Sequence, residues 1–203
     1  MDKILSAQPT GNLTADKLIL ASGSPRRRQL LELAGYSFTV VSADVDETSP
    51  PGVPVAQVPE LLARKKATAV AHRYPGAVII AADTVVLLDE EILGKPKDAE
   101  DAKAMLARLS GRTHRVVTGV CIQNGASEEC FSTVTEVSFR SLAPADIDYY
   151  VTRFKPFDKA GSYAIQEWIG LIGIERIDGD YYNVMGLPIG EVVPRLSRLS
   201  GGR

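Results

Sequence analysis

Three consecutive arginines, Arg26, Arg27 and Arg28, follow Ser22-Gly23-Ser24-Pro25 in the stretch "LILASGSPRRRQLLELAG". Ser24 is placed to cap a helix and Pro25 fits its first position, so the arginines occupy the second to fourth helical positions. Cations there oppose the helix dipole and one another, at roughly a few tenths of a kcal/mol apiece. A bound anion would offset that conflict. Free backbone N–H groups, the hydroxyls of Ser22 and Ser24, and guanidinium forks together make a phosphate cradle, and Gly23 lets the backbone approach closely. The pattern is neither a P-loop nor G-x-G-x-x-G. The other reading is that the arginines face water or hold an acidic loop such as "DVDET" (residues 44–48).

Asp83 is the second chemical signal. It interrupts "AVIIAADTVVLL", where neighbours look buried on both faces. A carboxylate there costs several kcal/mol unless it is hydrogen-bonded, paired or metal-bound. It is therefore a strand-end aspartate satisfying a turn, a metal ligand, or a base that activates water. Lys66 in a helical run, Lys95 before a proline and Lys159 in "DKAG" are cations that could meet the same ligand, and Asp46 and Glu47 are further carboxylates. "DVDET" is no EF-hand, lacking its central glycine. His72 and His114 are the only histidines, which excludes a His-rich metal site, and His114 reads as structural. No G-x-S-x-G is present. Phosphate chemistry with carboxylates and a divalent metal is what survives.

Alternating strands and helices must position these groups. "KLILAS" reads as a buried strand. The helix after it presents Leu30, Leu33 and Ala34 as its apolar stripe and leaves at Gly35. "SFTVVSA" reads as a second strand, then a Pro-rich loop. A helix over Pro59 to His72 points Leu61, Leu62 and Ala69 inward. "AVIIAADTVVLL" is a long strand, followed by a turn at "DEE" and the short strand "ILG". Asp98 caps a helix whose stripe is Ala102, Met105, Leu106 and Leu109. "HRVVTGVCI" and "CFSTVTEVSFR" flank "QNGAS" as a hairpin. A helix over Pro144 to Phe154 buries Ile147, Tyr150, Val151 and Phe154. The last third is Gly-rich and turn-broken before a short helix.

The chain has 203 residues, 45% apolar content and a net charge of -2, so any pull on an anion is local rather than global. Sparse aromatic residues and the absence of a basic platform argue against nucleic acid. No stretch is long enough to span a bilayer and no signal peptide is evident, which predicts a cytoplasmic protein without a membrane partner. Cys121 and Cys130 lack C-x-x-C spacing and suggest neither zinc nor a disulfide framework; Cys121 reads as a buried thiol. Residues 1–16 read as a loose extension, and 17–203 as one α/β domain.

"LILASGSPRRRQLLELAG", "AADTVV", "LGKPKDAEDAKAMLARLSGRTHRVVTGV" and "DKAGSYAIQ" together resemble the Maf family of nucleoside triphosphate pyrophosphatases, in order from about Leu18 to Leu196. The resemblance implies an inosine-triphosphatase-like α/β fold: a twisted mixed sheet, flanking helices and a two-lobed cleft. It implies hydrolysis of a nucleoside triphosphate to the monophosphate and pyrophosphate with a divalent cation, Mg²⁺ or alternatively Mn²⁺. It also implies a homodimer, a role in clearing aberrant nucleotides and a link to septum formation. Carried over by motif, Asp83 is the proton acceptor; Arg26, Thr84 and Gln166 select the base; Ser22, Arg27, Lys66 and Lys95 hold phosphates; and Glu47 joins Asp83 toward the metal. Arginine after "SP" and glutamine in "IQ" match the dTTP and UTP branch rather than the 7-methyl-GTP branch. Glu167 departs from the "QG" of many members. A division regulator with vestigial catalysis and a phosphatase releasing orthophosphate are the competing readings.

Overall fold

Strand β1 (Leu18–Leu20) enters the sheet with every side chain buried, and helix α1 (Pro25–Leu33) leaves its end. The computed structural model describes residues 17–48 and 52–199. The expected extension at residues 1–16 lies outside the described residues. The chain continues through β2 (Thr39–Val40), α2 (Val58–Ala71), β3 (Val78–Leu88), β4 (Glu91–Leu93) and α3 (Ala99–Leu109). Then follow β5 (Thr113–Asn124), β6 (Ser127–Phe139), α4 (Pro144–Phe154), α5 (Trp168–Gly173), β7 (Ile174–Asp178), α6 (Tyr181–Met185) and α7 (Ile189–Leu199).

The seven strands form one mixed sheet in the order β2-β1-β3-β5-β6-β7, with β4 paired to β3. β1 runs parallel to β3, whereas β3, β5 and β6 form an antiparallel meander. β3 alternates strictly between two layers. Ile79 and Ala81 pack with Ala63, Ala67 and Val70 of α2, while Ile80, Ala82, Val86 and Leu88 belong to the larger core with α1, α3, α4 and α7.

Several local expectations hold. Asp98 accepts the N–H of Asp101 at 2.9 Å, so α3 has its cap. Gly35 sits at φ 83° while Gly35 and Tyr36 donate back to Glu32 and Leu31, which closes α1. The hairpin turns at residues 125–126, and α4 spans the expected residues, burying Ile147, Tyr150 and Val151 with Phe154 packed beside them.

Others are corrected. Ser24 stands at the cap position, but its hydroxyl makes no cap bond. Instead its N–H donates to Ser22 Oγ at 3.2 Å. Leu33 is 74% exposed, and Leu31 takes its place beside Leu30 and Ala34 on the packing face of α1. The sheet-facing stripe of α2 is Leu62, Ala63, Lys66, Ala67 and Val70 rather than one built on Leu61 and Ala69. β7 replaces an expected turn-broken stretch. Cys121 lies directly opposite Cys130 across the β5–β6 ladder, with Cα atoms 4.1 Å apart, and a disulfide joins them where a free buried thiol was expected. Register made the pair; spacing in sequence carried no sign of it. No helix among the described residues is long and apolar enough to cross a membrane.

Candidate active site

β1 pairs with β3 only as far as Ile80, so residues 81–84 of β3 run on past the end of β1. That is the crevice beyond the carboxyl ends of parallel strands where open α/β sheets bind ligands. Strand alternation then sends Asp83 and Thr84 to opposite faces. Asp83 turns toward α2, where Lys66 interrupts the apolar stripe. The Lys66 ammonium is 2.7 Å from Asp83 Oδ1 and 2.7 Å from Glu47 Oε1, with its side chain only 10% exposed. Two carboxylates thus share one nearly buried ammonium, which compensates part of the cost of burying it. The Lys66 hydrogen bond, helped by the charges of Lys95 and Arg27, holds the Glu47 carboxyl below the usual carboxylate range.

Thr84 faces the other layer. Its hydroxyl lies 2.9 Å from that of Thr118, which donates to the Asn183 carbonyl at 3.0 Å. The three arginines diverge because helical residues step around the axis by about 100° each. Arg27 turns inward: Nε donates to Gly186 O at 2.8 Å, Nη1 to Ala82 O at 2.8 Å and Ser22 Oγ at 3.1 Å, and Nη2 to Thr84 Oγ1 at 3.0 Å. Burial pushes the pKa of its guanidinium down to about 10, which still leaves it charged at neutral pH. Arg26 faces the cleft and pairs with Asp158 at 3.3 Å. Arg28 points to solvent and pairs with Glu32 one turn on.

The far wall comes from residues 158–166 and 184–186. Together the walls enclose a cleft of about 660 Å³. Ser22, Arg26, Arg27, Glu47, Lys66, Asp83, Thr84, Lys95 and Gln166 all line it, whereas Arg28 and Asp46, also considered from sequence, do not. Lys159, one of the lysines considered, is there too, 2.7 Å from Asp158 Oδ1. Burial alone would raise the Asp158 pKa, but Lys159 and Arg26 hold it below the usual range. Sequence reasoning missed Asp158, Gly186, Thr118 and Asn183. Asp158 adjoins the "KAG" run and could have been found there, whereas the other three gain their roles only through register and packing. His114 is buried against Phe139 and bonded to Tyr163 at 2.7 Å, a structural role as expected.

The profile of the family described as Maf-like protein matches residues 17–199. This chain belongs to the Maf family. Among its relatives, the protein of Cytophaga hutchinsonii named dTTP/UTP pyrophosphatase is 47% identical over 182 residues, 90% of this chain and 84% of that protein. The dTTP/UTP pyrophosphatase of Porphyromonas gingivalis is 49% identical over 88% of this chain and 92% of its own length. That of Myxococcus xanthus is 50% identical, with 89% and 91% covered. The solved Ham1 protein of Staphylococcus aureus superposes with a TM-score of 0.50 at 14% identity, covering 89% of this chain and 98% of that one. That likeness bears out the inosine-triphosphatase-like architecture of the Maf chain.

Proposed function

We propose that this Maf-family chain is a nucleoside triphosphate pyrophosphatase that hydrolyses dTTP and UTP to the monophosphate and pyrophosphate. One observation carries the reading: Asp83 and Glu47 are held by one nearly buried lysine in a cleft that Arg26, Lys95 and Lys159 also line. The names of the relatives from three bacteria point the same way.

In this reading a water is deprotonated by the Asp83 oxygen not held by Lys66. The water oxygen bonds to the α-phosphorus, the bond from that phosphorus to the bridging oxygen breaks, and pyrophosphate leaves with the bonding pair. Lys66 fixes the carboxylate's orientation, and Lys95 neutralises charge along the triphosphate. Ser22 adds a hydroxyl to the phosphate cradle, although Arg27 spends four hydrogen bonds on the protein's own atoms and so acts chiefly by positioning Ser22 and Thr84. The donor set fits a hard divalent cation, since Glu47 and Asp83 each present a carboxylate with only one oxygen turned to Lys66. Glu47 and Asp83 would hold Mg²⁺, which supplies charge stabilisation at the phosphate oxygens when bound. Gln166, exposed at the cleft edge, offers both a donor and an acceptor to a pyrimidine imide, and Arg26 and Thr84 complete base selection. The homodimer that the resemblance implies belongs to the same proposal.

The test is a product-resolved assay of purified protein with Mg²⁺ against dTTP, UTP, CTP, 7-methyl-GTP, ITP and GTP. The expected products are pyrophosphate with TMP or UMP, and Asp83→Asn should lower kcat by about 10²–10⁴-fold. Orthophosphate release, a 7-methyl-GTP preference, or an unaltered Asp83→Asn would each overturn the corresponding part. Nucleotide binding without turnover would favour the regulator instead.

A further inference from the structure

Gln166 is presented by a turn that is pinned from below. The Glu167 N–H donates to the Ala164 carbonyl at 3.0 Å, closing residues 164–167. Tyr150 of α4, fully buried, holds both ends of this turn: its oxygen accepts the Ala164 N–H at 3.2 Å, and its hydroxyl donates to Glu167 Oε2. Burial and the neighbouring Glu167 push the tyrosine's pKa far up, so the hydroxyl remains a donor across the working pH range. The second carboxylate oxygen, Glu167 Oε1, is 3.4 Å from the Lys159 ammonium, whose side chain is 9% exposed. Lys159 in turn meets Asp158 Oδ1 at 2.7 Å, and Asp158 Oδ2 meets Arg26 at 3.3 Å. An unbroken polar chain therefore runs from Tyr150 through Glu167, Lys159 and Asp158 to Arg26 on the opposite wall.

We infer that Glu167 is a positioning residue for nucleotide selection, anchoring at once the turn that presents Gln166 and the Lys159–Asp158 pair that orients Arg26. The inference deepens the pyrophosphatase reading and rests on it for its kinetic consequence. Glu167 reaches the nucleotide only through its neighbours. Without it, buried Lys159 keeps a single carboxylate partner, Asp158, which is 58% exposed in its side chain and already shared with Arg26. Lys159 then draws Asp158 away from Arg26, while the 164–167 turn loses one of its two ties to Tyr150. Both groups assigned to base selection loosen together, and the Lys66–Asp83–Glu47 cluster stays as it is.

Two readouts test this in purified full-length protein. In Glu167→Ala, KM for dTTP should rise about tenfold with kcat within about twofold, and the preference for dTTP over CTP should shrink by a similar factor. Amide hydrogen exchange at residues 164–167 should quicken about tenfold, while exchange in β3 stays unchanged. Glu167→Gln, which still accepts from Tyr150 but carries no charge for Lys159, should keep slow exchange yet lose part of the selectivity. Tyr150→Phe should quicken exchange at Ala164, and it serves if Glu167→Ala fails to fold. Unchanged exchange and unchanged selectivity in Glu167→Ala would overturn the inference. So would an equal loss of kcat on every nucleotide with a lowered Tm, the mark of a merely structural residue. Wild-type protein that releases no pyrophosphate would sink the pyrophosphatase reading instead, and the exchange data would then still decide whether Glu167 clamps the turn.

Discussion

Arg27 ties together Ser22, Ala82, Thr84 and Gly186, four groups drawn from the turn before α1, from β3 and from the end of α6. A planar fork can reach all four at once, whereas an ammonium on a flexible stem cannot. Arg27→Lys should therefore cost about 2–4 kcal/mol in urea unfolding, since it strands enclosed acceptors, and should also lower kcat by displacing Thr84. The same substitution at Arg28, which pairs with Glu32 in solvent, should change stability by less than about 0.5 kcal/mol. Sequence marked the three arginines as one anomaly that asks for an anion. It could not sort them, because the helical step that separates their directions has meaning only once the packing face of α1 is known. Lys66 is the opposite case: a cation inside an apolar helical stripe, with an aspartate inside an apolar strand, already asks for a partner.

At the scale of elements, β5 passes under the first turn of α2 so closely that only glycine fits. A Cβ on Gly119 would lie 2.1 Å from Glu60 N and 2.2 Å from the Pro59 carbonyl carbon, both backbone atoms that cannot swing aside. Gly119→Ala should destabilise by about 1–3 kcal/mol or more and impair both kcat and KM, because α2 carries Lys66. Thermal unfolding with steady-state kinetics checks both. His114 joins β5 to β6 and the cleft wall through Phe139 and Tyr163, and burial pushes its pKa down to about 4. Between about pH 6.5 and pH 4 the unfolded chain binds a proton that the folded chain refuses. Stability from this group is thus complete above 6.5 and falls as pH is lowered, by about 1.4 kcal/mol per unit and roughly 3 kcal/mol in all. Subtracting the pH profile of His114→Phe from that of wild type should isolate this slope; parallel profiles would contradict it. Strong helices and the hairpin were legible because caps, turn residues and periodicity are local. β7 was not, since an edge strand exposed at Glu175, Arg176 and Asp178 needs no apolar pattern.

Over the whole molecule, the cleft draws its walls from residues 22–27, 83–86, 158–166 and 184–186, segments that unfolding would scatter. A nucleotide bound there should hold the entire fold. With Asp83→Asn to suppress turnover, dTTP at 100 times its Kd should raise the unfolding free energy by about 2.7 kcal/mol, read as a Tm shift that saturates with ligand. Flat Tm values across that titration would argue against nucleotide binding in this cleft. By itself the sequence determined the α/β alternation, the capped and turned boundaries, and a small set of charged residues placed against local preference, because those are settled by neighbours a few positions away. Tertiary structure alone decided which charges meet. Lys66 reaches Asp83 across 17 positions, Arg26 reaches Asp158 across 132, and Arg27 reaches Gly186 across 159. It also joined Cys121 to Cys130 through strand register. Contacts of that kind are set by how the sheet layers pack, and no local pattern records them.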